Sequence, residues 1–183
     1  EFLQDLKEGL ARQRKSISPK YFYDAVGSDL FDQICQLPEY YPTRTELAIL
    51  QQSAPEIARH LGPHAEILEF GAGSMQKVRV LLGAMDRPAR YIPIDISAEH
   101  LQGAASKLST DYPNLQVEPL EADYTLDMVL PPDVPPKGLR AGFFPGSTLG
   151  NFEPLDALHF MHMCAKTLQG GALILGADLV KSP

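Results

Sequence analysis

Glu69-Phe70-Gly71-Ala72-Gly73-Ser74 is the stretch on which the reading of this chain turns. Apolar Ile67, Leu68 and Phe70 run up to an abrupt stop at Gly71, and a helical pattern follows over residues 77–85. A short apolar run that ends in glycines and opens a helix predicts a buried parallel strand and a tight turn. Gly71 and Gly73 let the backbone turn sharply and approach a ligand with no Cβ in the way. Ser74 is the expected cap of the helix. Gln76 stands where the dinucleotide fingerprint carries its third glycine, which argues against a nicotinamide or flavin cofactor. A cofactor without a pyrophosphate does not need that third glycine.

Elsewhere along the chain, four more apolar runs predict strands at residues 91–96, 115–120, 139–144 and 172–175. Helical patterns lie between them at 98–108 and 155–168. This alternation predicts an α/β domain with a parallel sheet and helices on both faces. Pro93, inside the second run, predicts a bulge or local irregularity. Residues 130–138, rich in proline, read as a stiff connector. Upstream, Phe2, Leu3, Leu6 and Leu10 share one helical face, and Ser18-Pro19 breaks the pattern. Residues 21–36 predict a second helix, interrupted at Gly27. Thr43 is the expected N-cap of a third helix, reaching about His60, with Glu46 completing a capping box. The chain thus divides into a helical cap, 1–62, and an α/β core, 63–183.

A length of 183 residues, 44% of them apolar and 21% charged, suits one soluble domain with a real core. The net charge of -7, with no basic block, disfavours a nucleic-acid partner. No apolar run is long enough to span a bilayer, and the first residues lack the pattern of a signal peptide. The absence of an initiator Met suggests that the chain begins inside a longer one. Cys35 and Cys164, with no C-x-x-C, fit two thiols in a reducing cytoplasm rather than a disulfide framework or a zinc site. Glu153, Asp156, His159 and His162 fall at helical spacing and read as a solvated face, so no metal is expected.

In an open parallel sheet, ligands sit beyond the carboxyl ends of the strands. The second run ends at Asp95, placed to accept hydrogen bonds from two ribose hydroxyls. The third leads into Asp123-Tyr124, a carboxylate for an adenine amino group beside a ring that packs on the base. The fourth ends at Gly146-Ser147-Thr148-Leu149-Gly150-Asn151-Phe152, bordering the place of a transferred group. Each feature has a bland counterpart. A terminal acid is often a solvated turn residue, Lys77 a solvated lysine, Tyr40 and Tyr41 a staple between prolines, and Asn151 a turn before Pro154. Glycines, then an acid, then an acid with an aromatic, at successive strand ends, together predict an adenosyl cofactor. S-adenosylmethionine fits better than NAD.

Two further blocks make the reading more specific. One runs from Ser18-Pro19-Lys20-Tyr21-Phe22-Tyr23-Asp24 through Gly27-Ser28-Asp29-Leu30-Phe31 to Leu37-Pro38-Glu39-Tyr40-Tyr41-Pro42-Thr43-Arg44-Thr45-Glu46. The other is Phe143-Phe144-Pro145-Gly146 through Phe152. With Gly71 to Arg79 between them, the chain resembles the histidine-specific methyltransferases of ergothioneine biosynthesis along essentially its whole length. The resemblance implies a Rossmann-like class I methyltransferase fold, strand order 3-2-1-4-5, and transfer of three methyl groups from S-adenosylmethionine to the α-amino nitrogen of histidine, giving hercynine. It implies that Gly71 and Lys77 contact the cofactor, Lys77 through the methionine carboxylate, with Asp95 on the ribose and Asp123 and Tyr124 on the adenine. It also implies that Tyr40 and Asn151 hold the amine and carboxylate of a small-molecule amino-acid substrate, and that Tyr23 lies near the imidazole. Met75 departs from the small polar residue expected in the glycine loop. No catalytic base is named; a tyrosine or a water would relay the amine's proton.

The family continues well past Pro183, so the resemblance marks this chain as a fragment lacking the last strands and the lobe that reads the side chain. Such a fragment is expected to bind cofactor weakly and to methylate histidine poorly. Its fifth strand would be an unpaired edge inviting a dimer. A non-catalytic cofactor-binding module, and a methyltransferase for another amino acid or amine, remain as alternative readings.

Overall fold

The computed structural model describes residues 2–126, 128, 130 and 137–179; residues 131–136 of the expected connector lie outside them. The helices are α1 (Phe2–Ala11), α2 (Ala25–Ile34), α3 (Pro42–Leu61), α4 (Gln76–Ala84), α5 (Ala98–Asp111) and α6 (Pro154–Leu168). The strands are β1 (Glu66–Phe70), β2 (Arg90–Asp95), β3 (Gln116–Val117), β4 (Leu120–Glu121), β5 (Arg140–Phe144) and β6 (Ala172–Leu175). Short 3-10 helices sit at Pro19–Phe22 and Thr148–Asn151.

The described strands form one parallel sheet in the order β3-β2-β1-β5-β6, with β4 also paired to β2. This is the expected order, with the third strand split in two. The split has a local cause. β3 pairs Arg90 and Tyr91, β4 pairs Ile94 and Asp95, and the gap between them falls at Ile92 and Pro93. Proline has no N–H to donate, so the ladder on that side cannot run through it. The irregularity expected in β2 therefore appears in its neighbour. β2 itself keeps unbroken register with β1, Glu69 opposite Pro93.

Side chains alternate across the sheet as a strand requires. Ile67, Tyr91, Ala141 and Phe143 point to one face, where they meet Leu61, Val78, Leu81, Leu101 and Leu108 of α3, α4 and α5. Leu68, Phe70, Ile92, Ile94 and Phe144 point to the other, against Phe160, Met163 and Leu168 of α6. Both faces are thus covered, which is why the central strands read as near-continuous apolar runs. At the amino end of the sheet, buried Glu66 accepts from Arg140 at 2.7 Å and from Arg90 at 3.5 Å, and Arg90 also bonds Glu118 at 2.8 Å. These charges are paired among themselves, as burial demands.

Three helix starts differ from expectation. The predicted helix over 21–36 is broken at Tyr23 and Asp24, not at Gly27. Asp24 is the N-cap of α2, its Oδ1 accepting the Gly27 N–H at 2.8 Å. Gly27 serves that turn, because a Cβ there would stand 1.8 Å from the Phe22 carbonyl oxygen. The capping box at Thr43 and Glu46 does not form. Pro42 takes the first helical position, where its missing N–H costs nothing, so Tyr41 becomes the N-cap. Thr43 Oγ1 instead donates to Cys35 Sγ at 3.3 Å. Ser74 does not cap α4; buried Met75 does so at a left-handed φ of 58°, without a side-chain hydrogen bond.

Candidate cofactor and substrate site

The carboxyl ends of β1, β2 and β4 meet around the glycine turn. Gly71 leaves β1 at φ 72°, and its N–H donates to the Ile94 carbonyl at 2.8 Å. The turn is thereby tied to the end of β2. Gly73, also at positive φ, donates its N–H to Asp95 Oδ2 at 3.2 Å, and Ser97 N–H donates to Oδ1 at 3.0 Å. Two backbone donors therefore aim the Asp95 carboxylate along the turn, and they leave lone pairs for further donors.

Tyr124 roofs the same turn. A Cβ on Gly71 would lie 3.3 Å from its hydroxyl oxygen, so only glycine fits there without pressing on the phenol. Its ring packs edge-on against Phe70, Phe144 and Phe160 at centroid distances of 6.3, 5.7 and 6.2 Å. Burial, and then the nearby Asp95, Tyr23 and Asp123, raise its pKa far above the ordinary phenol value. Asp123 is gripped on both oxygens: Oδ1 accepts from Thr125 N–H at 3.0 Å, and Oδ2 from Lys20 Nζ at 3.0 Å. Burial alone would raise its pKa, but the Thr125 and Lys20 hydrogen bonds outweigh it and hold the carboxyl below its usual range. The sequence carried no signal for Lys20, which arrives from the 3-10 helix at Pro19–Phe22.

At the other end of the turn, Lys77 opens α4 and pairs with Glu46 of α3 at 2.5 Å. The second oxygen of Glu46 accepts the Gly146 N–H at 2.7 Å, just past the end of β5. Close packing surrounds the pair. A Cβ on Gly146 would lie 3.3 Å from Lys77 Nζ, and one on Gly176 would lie 2.3 Å from Glu46 Oε1. Beneath it, buried Glu69 accepts the Tyr91 hydroxyl. Desolvation raises its pKa to about 8 against the opposing Tyr91 hydrogen bond and the Lys77 charge, so the carboxyl is protonated at neutral pH.

Tyr40 and Tyr23 flank Phe31 edge-on, with centroids 6.1 and 5.9 Å from its ring. Tyr23 also lines an open groove of about 480 Å³ between the first 3-10 helix and α2, walled by Phe22, Val26, Leu30 and Ile34. Burial, followed by Cys35, Tyr23 and Glu46, raises the Tyr40 pKa, so its phenol stays neutral. Asn151 is exposed at the end of the second 3-10 helix. Glu153, Asp156, His159 and His162 stand exposed along α6, and no metal-holding group of side chains occurs among the described residues. No helix among those residues is long and apolar enough to cross a membrane.

Residues 2–183 match the family model described as histidine-specific methyltransferase, SAM-dependent. The chain belongs to this family. The histidine N-alpha-methyltransferase of Mycolicibacterium smegmatis is 43% identical over 97% of this chain, and that of Mycobacterium tuberculosis is 37% identical over the same share. Each alignment covers 56% of the relative, so the chain spans about half the length of these curated relatives. A crystal structure of a Thermobifida fusca protein proposed to be a methyltransferase superposes with TM-score 0.52 at 16% identity. It covers 92% of this chain and 63% of that one, a likeness of fold alone. The sheet order and two-sided helix layers are those of the Rossmann-like methyltransferase fold. In this member of the histidine-specific family, the Tyr40-Tyr41-Pro42-Thr43-Arg44 block has a visible local logic. The Arg44 guanidinium donates to the carbonyls of Leu37, Pro38 and Tyr40 at 2.7, 2.6 and 3.2 Å, fixing the loop that carries Tyr40.

Proposed function

We propose that this chain binds S-adenosylmethionine across the Gly71–Gly73 turn and serves N-methylation of the α-amino group of an amino acid, histidine first. The observation that carries the reading is the meeting of Gly71, Asp95 and Asp123 at adjoining strand ends, with Lys77 beyond them. The residues suit the group chemically. Asp95 keeps free lone pairs for ribose hydroxyls, Gly73 offers backbone with open space where a Cβ would stand, Asp123 and Tyr124 are the proposed adenine partners, and Lys77 supplies a cation for a carboxylate. When bound, the cofactor supplies a methyl group on a good leaving group. The chain's own task is then mainly to align donor and acceptor. Tyr40, neutral and held by the Arg44-tied loop, and exposed Asn151 are the proposed handles for the substrate's amine and carboxylate, with Tyr23 near its side chain. Residues 1–62 are the proposed cap that brings Tyr23 and Tyr40 to the 63–183 core. The free thiols Cys35 and Cys164 support work in a reducing compartment such as the cytoplasm.

The test is calorimetry with S-adenosylhomocysteine. Asp95→Ala is expected to weaken binding by at least about tenfold, the loss of charge-assisted hydrogen bonds. Unchanged affinity in that variant would remove the adenosine from Asp95. For the substrate, mass spectrometry of histidine incubated with cofactor and a full-length relative carrying these residues is expected to show trimethylated product, and Tyr40→Phe is expected to slow it.

A further inference from the structure

Glu46 forms no capping box, yet both of its carboxylate oxygens are engaged. Its Oε2 lies 2.5 Å from Lys77 Nζ, and its Oε1 is held by the Gly146 N–H at 2.7 Å. Among the described residues Lys77 is its ion-pair partner, and the pair is only partly exposed, at 22% and 19%. A ligand carboxylate that takes Lys77 would meet a second carboxylate already in place. Glu46 is held in place, because its other oxygen is pinned to the β5–α6 loop by the Gly146 N–H and the Gly176 backbone lies close against it. Two carboxylates sharing one lysine in a half-buried site repel each other, and the arrangement is unfavourable unless another cation arrives. An amino-acid group carries that cation on the same carbon as its carboxylate.

We infer that Glu46 and Lys77 together form a cradle for a zwitterion, in which Lys77 takes the α-carboxylate of the cofactor's methionine part and Glu46 takes its α-ammonium. The inference rests on the cofactor site proposed above. Binding then exchanges one internal ion pair for two intermolecular ones with no net charge left over. It also links α3 to the cofactor, because Glu46 is the helical segment's contribution to the cradle.

The experiment is calorimetry on wild type, Glu46→Gln and Asp95→Ala with two ligands. One is S-adenosylhomocysteine; the other is its analogue lacking only the α-amino group, a 3-carboxypropyl thioether of 5′-thioadenosine. Glutamine keeps an acceptor for the Gly146 N–H but loses the charge. Wild type is expected to bind the deaminated ligand about tenfold or more weakly than S-adenosylhomocysteine. Glu46→Gln is expected to lower S-adenosylhomocysteine affinity to about that level while leaving the deaminated ligand no weaker. An equal loss for both ligands, or unchanged or tighter S-adenosylhomocysteine binding in Glu46→Gln, overturns the inference. If Glu46→Gln loses its far-ultraviolet dichroism, the wild-type comparison decides alone, and equal affinity for the two ligands overturns it. Asp95→Ala separates the two ideas. It is expected to weaken both ligands alike. Asp95→Ala with no effect on either ligand strikes the site reading instead, and absence of binding to wild type removes both.

Discussion

Glu69→Gln is the sharpest perturbation that the structure offers, because it isolates one buried proton. Glu69 is 2% exposed and accepts the hydroxyl of Tyr91, which is itself fully buried. Its carboxyl has a folded pKa of about 8 against an ordinary value of 4.5, burial being the main cause. Between those two values the native state holds a proton that the unfolded chain has released. Stability contributed by this group is therefore complete below about pH 4.5 and is lost as pH rises toward about 8. The limiting loss across that window is about 4 to 5 kcal/mol, at about 1.4 kcal/mol per pH unit. Glutamine is neutral throughout and still accepts from Tyr91, so the variant lacks this slope. Urea unfolding of wild type and Glu69→Gln across the window is the assay, read as the difference between the two free energies. That difference is expected to move in the variant's favour as pH rises, whatever constant offset the extra amide donor introduces. Parallel profiles, or a wild type that gains on the variant with rising pH, would refute the assignment of a neutral buried carboxyl.

Two other outcomes are expected. Glu66→Gln removes the carboxylate shared by buried Arg90 and Arg140. It is expected to cost about 3 to 5 kcal/mol in urea unfolding, and a loss below about 1 kcal/mol would mean that their remaining partners, Glu118 and the Thr167 carbonyl among them, suffice for the guanidiniums. β6 has one described neighbour, β5, and Leu175 is 38% exposed, so a polypeptide of these 183 residues alone is expected to self-associate through that edge. Sedimentation showing a monomer at high concentration would count against it.

The layered architecture was legible because burial leaves a local imprint. Strands covered on both faces read as apolar runs at 67–70, 91–94 and 139–144, and α6 reads from its spacing. The position of Asp95 at the carboxyl end of β2 was legible too, since it closes an apolar run. The break between β3 and β4 was half legible: Pro93 announced it, but which strand yields depends on which side of β2 the missing N–H faces.

What the chain could not disclose alone are partnerships between distant residues. Glu46 fits a capping box by its spacing from Thr43, and only the packing of α3 against α4 gives it to Lys77 and Gly146. Lys20 lies 103 residues from Asp123 and is an ordinary lysine until the fold brings the 3-10 helix to the end of β4. Glu66, Arg90 and Arg140 look like solvated charges at strand starts, and only parallel pairing in register sets them side by side and buried. Periodicity is written residue by residue because each side chain answers to its own solvent exposure. Ion pairing depends on distances that no local pattern encodes.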